Sequence, residues 1–429
     1  MTNNLIYNVK TNPSWSFNNL TRSETTYASH GYHKYPAKFI PQLVKRLLLE
    51  YSKKGDVVLD PFGGCGTTLV EAKINGRTGI CMDVNEAALL MSSAKATAIA
   101  PKIVEEGNKK LIERISKNTS NKDYYLRANI RLKYWFKQNQ FNKLTRIFQE
   151  IQKEPDRKLR TFYFCCFSNI LKNCSIWYSK SIKPMKDINK KDADPAATFV
   201  KHLNYMTIQN SEYYNLINES KNNHVKCYIK KADARKTNLP QDFIDLIITS
   251  PPYAISYEYA DIHQLSLLWF GFINDLSKVR AKYIGTSSKR TITNEKKTSS
   301  TIATKVIKSL SFYDAGLANQ VNNYVMDLEK SFGEMHRVLK YGKRACILIG
   351  DTKYKGVNIK NTEVSVELLK TTGFRIEDII KRKISSKIFT PYRDSKGKFS
   401  SSREGNKIKI YQYEYIIIAR KSLKTRNRI

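Results

Sequence analysis

The chain is short of the features that would place it outside the cell, inside a membrane or around a metal. Its seven cysteines (65, 81, 165, 166, 174, 227 and 346) form no Cys-x-x-Cys pair and no Cys/His spacing suited to zinc. An odd number of them without a signal peptide reads as reduced thiols in a cytoplasm, not as a disulfide framework. No apolar run approaches the roughly 20 residues of a membrane span. Acids are scarce too: 38 Asp and Glu face 74 Lys and Arg, for a net charge of +36. A field of that sign suits a polyanionic partner, because each neutralised phosphate releases counterions. An AT-rich genome that writes Lys often is the bland account of the same charge.

What is present is enough for a folded core. At 429 residues, 41% hydrophobic and 11% aromatic, the chain can form two or three domains or one core with large insertions. Residues 1–23 are polar without a clear period and read as an N-terminal arm. Residues 24–103 carry strand, helix, strand, helix: the apolar run Val57–Leu59, a helix from Thr67, the run Thr78–Asp83, and a helix over 86–98 rich in Ala, Leu and Met. That rhythm opens a doubly wound α/β sheet. Residues 104–222 interrupt it with helix-period segments such as Ile130–Ile151 and Arg160–Ile176, a helical insertion. Strands resume within 223–270, at Cys227 and at Phe243–Ile248. The span 271–323 reads as a basic insertion; its 271–310 part has nine Lys/Arg against two acids and no strong apolar period. Residues 324–429 supply a helix to Leu339 and strands near Ala345–Ile349, Phe374–Ile380 and Tyr411–Ile418. They also hold a second basic stretch, 381–409, with ten Lys/Arg against two acids. The expected fold is a mostly parallel, seven-stranded α/β sheet with a helical insertion.

Two segments carry chemistry. In Asp60-Pro-Phe-Gly-Gly-Cys-Gly-Thr-Thr68, Asp60 ends a strand, Gly63, Gly64 and Gly66 make a turn, and Thr67 and Thr68 open a helix. Glycines there let backbone N–H groups approach a ligand without a Cβ in the way. Asp83 ends the next strand, where a carboxylate can accept from both hydroxyls of a ribose. The Gly-x-Gly-x-x-Gly cradle of dinucleotides and the Gly-Lys-Ser/Thr end of a P-loop are both missing, which leaves an adenosyl ligand without phosphates. The second segment, Thr249-Ser-Pro-Pro-Tyr253, follows an apolar strand. Pro251 and Pro252 fix φ and remove two N–H donors, so carbonyls near them face outward as acceptors.

The first segment, with Phe62 and the pair Glu71-Ala72, resembles the S-adenosylmethionine motif of the amino-methylating DNA methyltransferases, with Cys65 in place of the usual serine. Tyr35-Pro36-Ala37-Lys38-Phe39 is similar to the segment that folds over the methionine end of the cofactor in that family. Ala232-Asp233-Ala234-Arg235 resembles the third cofactor motif, whose acid meets the adenine amino group; a solvated turn acid is the plainer reading of Asp233. The resemblance covers about 30–100 and 226–420. It implies S-adenosylmethionine as cofactor, double-stranded DNA as substrate, a cognate restriction endonuclease as partner, and no metal.

Methylating an aromatic amine requires acceptors that pull its N–H groups out of plane and free the lone pair. Ser250 and the Pro251 carbonyl are the expected acceptors, and Tyr253 offers a face for a flipped-out base. A strong general base is unnecessary, because the methylated nitrogen is acidic. Ser in the first position goes mostly with cytosine in this family, and Asp or Asn with adenine, so cytosine N4 is the expected acceptor. Adenine N6 in DNA, a guanine amine in RNA, and a silent binding subunit remain as alternatives. Methylation at carbon 5 needs a cysteine beside a proline, and no Pro-Cys dipeptide occurs in the chain. The helical insertion, helped by 271–310, is the expected reader of target bases.

Overall fold

The computed structural model describes residues 6, 9–255, 258–286, 298–354, 356–384, 392–393, 408–409 and 412–422. Seven strands form the central sheet: β1 (Val57–Asp60), β2 (Thr78–Asp83), β3 (Cys227–Lys231), β4 (Ile244–Thr249), β5 (Leu339–Ile349), β6 (Phe374–Lys383) and β7 (Tyr413–Lys421). Their spatial order is β3-β2-β1-β4-β5-β7-β6. The first five run parallel, and β7 lies antiparallel between β5 and β6. This is the doubly wound, mostly parallel sheet expected from the sequence. β1 and β4 are continuous apolar runs because helices cover both faces of the sheet. All of β4 is buried.

Helices α1 (Pro41–Tyr51), α2 (Thr67–Ile74) and α3 (Glu86–Ala96) belong to the first half of the sheet. The insertion follows as α4 (Pro101–Lys117), α5 (Ile130–Trp135), α6 (Gln138–Gln152), α7 (Arg157–Ile170) and α8 (Pro195–Glu219). The periodic stretch Ile130–Ile151 is two helices, not one. Phe136 and Lys137 are extended, and the Trp135 carbonyl leaves helical bonding to accept from Ile176 N at 2.9 Å. A tertiary contact overrides the period there.

After β4 come α9 (Tyr259–Ile262), α10 (Gln264–Trp269), α11 (Leu276–Arg280), α12 (Thr301–Ser311) and α13 (Ala315–Val338). Among its described residues, the stretch 271–310, which shows no strong apolar period in sequence, holds one short helix and most of another; α12 buries Ala303, Val306 and Leu310. Helix α14 (Asn361–Thr371) precedes β6. The N-terminal arm is tied to the sheet's edge: Asn12 N donates to Lys381 O at 2.8 Å, and Arg382 Nε donates to the carbonyl of buried Trp15 at 2.9 Å. Most of the basic 381–409 stretch lies outside the described residues. Its start is strand β6, where Arg382 is buried against Glu414.

Candidate active site

β1 and β4 are adjacent and parallel, with Leu59 opposite Ile247, so the loops that follow them leave the same edge of the sheet side by side. That edge, where strand order reverses, is where open α/β sheets form a crevice. One carboxylate ties the two loops together. Asp60 accepts from Thr68 Oγ1 at 2.8 Å on one oxygen and from Thr249 Oγ1 at 2.6 Å on the other. Burial pushes its pKa up to about 6, against the pull of those hydrogen bonds.

The crevice encloses about 870 Å³ of empty space, part of it open to solvent. Of the residues singled out in the sequence, Tyr35, Ala37, Lys38, Phe62, Gly63, Gly64, Thr67, Asp83, Asp233, Ser250 and Pro252 line it. Pro36, Asp60, Gly66, Thr68, Pro251 and Tyr253 do not. Asp60 and Thr68 are turned toward each other, and Pro251 is buried beneath the loop.

The glycine loop is packed closely by the protein's own side chains, and Gly63 and Gly64 line the crevice. A Cβ on Gly63 would lie 2.2 Å from Cys81 Sγ, and one on Gly64, at φ +49°, would press on the Tyr35 ring at 3.1–3.2 Å. Tyr35 is stacked on His263, with ring centres 4.9 Å apart. His263 is pushed down to about 4 by burial, and its Nδ1 meets Asn85 Nδ2 at 2.8 Å. Asp83 is already oriented: its carboxylate accepts from Gly64 N at 2.9 Å and Asn85 N at 2.8 Å, and burial raises it to about 6. Each oxygen keeps acceptor capacity for a hydroxyl. Thr67 Oγ1 is buried without a partner. Lys38 Nζ donates to His30 O at 2.7 Å, and burial first, then Lys95, lowers it to about 8. Asp233 is gripped by Arg235, whose Nε lies 2.9 and 3.0 Å from its two oxygens.

The Ser250–Tyr253 loop is held differently. The Tyr253 hydroxyl donates to Glu414 at 2.7 Å, and Glu414 pairs with Arg382 at 2.7 Å. Burial first, then the Glu414 charge, holds the phenol well above its usual range; a hydrogen bond from Ser250 pulls the other way. A Cβ on Gly350 would stand 3.1 Å from the Tyr253 ring. Two residues on, Ile255 sits at φ +58°, a strained position for a β-branched side chain.

Sequence reasoning passed over Asn85, Tyr259, Lys282, Tyr283 and Ile284, which also line the crevice. The last three come from the stretch read as a basic insertion. No local pattern marks them, because they reach the site only when the chain returns past α11.

The sequence pattern of the DNA methylase family of the N6/N4 type matches residues 5–94 and 244–428. The chain belongs to that family. As a member it is a DNA methyltransferase that takes its methyl group from S-adenosylmethionine, and the oriented Asp83, the glycines that line the crevice and the orphaned Thr67 hydroxyl fit that cofactor. The unmatched stretch between those segments holds the helical insertion, β3 and Asp233. The type II methyltransferase M.MvaI of Kocuria varians is 27% identical over 388 residues, covering 84% of this chain and 85% of that protein. M.AvaI of Anabaena variabilis is 22% identical over 412 residues, covering 81% and 79%. A solved S-adenosylmethionine-dependent methyltransferase from Methanosarcina mazei aligns with 91% of this chain and 100% of its own at 10% identity, with a TM-score of 0.31. No described helix is long and apolar enough to cross a membrane.

Proposed function

We propose that the methylase modifies the exocyclic N4 amine of cytosine in duplex DNA, as the modification half of a restriction–modification system. The observation that carries this reading is that Ser250 and Pro252 wall the same crevice as Asp83 and Gly64. The acceptor amine and the methyl donor thus share one cavity. S-adenosylmethionine supplies an electrophilic methyl group on a sulfonium.

The chain's own residues do the rest. Ser250 and the Pro251 carbonyl accept from the amine's two N–H groups, which returns the lone pair from the ring to the nitrogen. Tyr253 stacks on the extruded base and keeps its hydroxyl anchored on Glu414. The methylated nitrogen then loses its proton without a dedicated base. A Ser at position 250 favours cytosine over adenine, by the family resemblance described above. The type II designation of M.MvaI and M.AvaI supports the restriction–modification context.

Nucleoside mass spectrometry of plasmid DNA treated with the purified protein tests the base. N4-methylcytosine is the expected product, and N6-methyladenine overturns the assignment. Modification-sensitive sequencing of the same DNA tests the context: methylation confined to one short sequence is expected, and scattered methylation breaks it.

A further inference from the structure

The insertion carries a surface that the catalytic chemistry does not use. Leu126, Ile130 and Ile188 are 72%, 84% and 73% exposed, and Tyr134 and Met185 are exposed beside them. About fifty positions of sequence separate Tyr134 from Met185, and the fold brings their segments together. A hairpin over 176–187 lies along α5: Ile176 N donates to Trp135 O, Tyr178 N to Met185 O, and Asp187 N to Ile176 O. Trp177 stacks on Trp135 with centres 5.0 Å apart, and Lys186 Nζ stands 3.4 Å over the Tyr134 ring.

Large apolar side chains clustered in solvent mark a surface that something covers. Cations are interleaved among them. Arg127, Lys180, Lys183, Lys186 and Lys191 are exposed. Of the neighbouring acids, Asp192 pairs with Lys137 at 2.8 Å, Asp123 accepts from Asn142 and Gln138, and Asp187 carries its charge near Lys190. Apolar tips framed by cations suit base edges and methyl groups framed by phosphates.

The surface is also braced to the active site. Arg131 Nε and Trp135 Nε1, both on α5, donate to Gln264 Oε1 at 3.0 and 2.9 Å. Gln264 opens α10 directly after His263, which stacks on Tyr35 in the crevice wall.

We infer that this face, built from 126–134 and 180–191, is the DNA-reading surface of the enzyme, with Ile130, Tyr134, Met185 and Ile188 toward the bases and the cations toward the backbone. The inference rests on the substrate being duplex DNA and is independent of which amine receives the methyl group.

The test uses the full chain and two paired variants, Ile130→Ser/Ile188→Ser and Lys183→Gln/Lys191→Gln. Fluorescence anisotropy would follow their binding to a labelled duplex cut from plasmid DNA that the wild type methylates, and to a random-sequence duplex of equal length. The apolar pair is expected to weaken binding to the first duplex by about tenfold and to leave the second within about twofold. The basic pair is expected to weaken both alike and to make the salt dependence shallower by about two phosphate contacts. Calorimetry with S-adenosylmethionine serves as the control for folding. Unchanged affinity of the apolar pair for both duplexes, with cofactor binding intact, overturns the inference. So does a change in oligomeric state by light scattering in place of a change in DNA affinity, since that outcome assigns the face to a protein partner. The duplex-binding readout and the mass-spectrometric identity of the product fail separately.

Discussion

The sheet and the insertion are built around different cores. Around the sheet the buried residues are mainly aliphatic: Val58, Leu59, Leu246–Ile248, Cys346–Ile349 and Ile416–Ile418. In the insertion aliphatic residues are mixed with many aromatic ones, among them Trp135, Phe136, Phe141, Phe162, Phe167 and Trp177 in one cluster. Aliphatic strands stack into a regular layer whose edge presents loops at fixed spacing, which is what a small cofactor crevice needs. Aromatic rings interlock edge to face at angles that suit irregular helix junctions. The aromatic core also reaches outside its own segment. Trp269 packs on Phe136 and Phe141 at 5.1 and 4.7 Å, and Phe270 on Phe164 at 5.3 Å. Both belong to the chain just after the Ser-Pro-Pro-Tyr loop. The insertion's cluster also takes in Ala87, Met91 and Ala94 of α3, so it is through α3 and α10 that the insertion packs onto the sheet's first half and the segment after Tyr253.

Four measurements would break or sharpen this contrast, taken from the largest expected effect downward. Tyr253→Ala alters the proposed catalytic loop and a residue that does not line the cofactor crevice. It should lower the turnover number for methyl transfer by about a hundredfold, the upper range for a lost base-stacking surface, while S-adenosylmethionine affinity stays level in calorimetry. A matching loss of cofactor affinity would erase the separation between the two loops. Gln264→Ala strips the shared acceptor from Arg131 and Trp135 at the seam. Urea unfolding should show about 2 kcal/mol of lost stability, the usual cost of buried donors left unpaired. A neutral result would mean that the aromatic contacts alone join the two cores.

Asp83→Asn probes the sheet side, and its sign can be worked out. Burial raises Asp83 to about 6, so its contribution to the stability of the free protein is present below the ordinary aspartate pKa and is lost as pH rises through about 6. Cofactor binding runs the other way, because the ionised carboxylate is the better acceptor for ribose hydroxyls. Wild-type affinity should fall as pH drops through about 6. The Asn variant should bind about tenfold more weakly at neutral pH, the scale of one charge-assisted hydrogen bond, with a flattened profile. A variant that keeps the full slope would remove Asp83 from the site. Glu50→Gln, at the 2.7 Å pair with Arg46 on α1, is remote from both loops. It should change stability by less than about 0.5 kcal/mol, and a larger effect by thermal melting would show that α1 is more than a cover for the sheet.

Much of this organisation was legible in the chain itself. The strands reveal themselves as apolar runs ending in Asp60, Asp83 and Thr249, because a strand buried on both faces leaves no room for alternation. The glycine turn and the double proline are local constraints, and both loops lie where local chemistry put them. The sequence gives no sign that Asp60 faces Thr249 across 189 positions, because a carboxylate at a strand end looks the same whether it meets a ligand or a neighbouring hydroxyl. Nor does it show Tyr283 and Ile284 returning to the crevice, or the break at Phe136 that turns the Trp135 carbonyl toward Ile176. Local periodicity and special residues decided which elements exist and which loops carry chemistry, because those choices depend on near neighbours along the chain. Only the tertiary structure decided which acid ties the loops, which walls close the cavity and which face of the insertion gathers Ile130, Tyr134 and Ile188. Those depend on contacts between residues that the order of the sequence keeps apart.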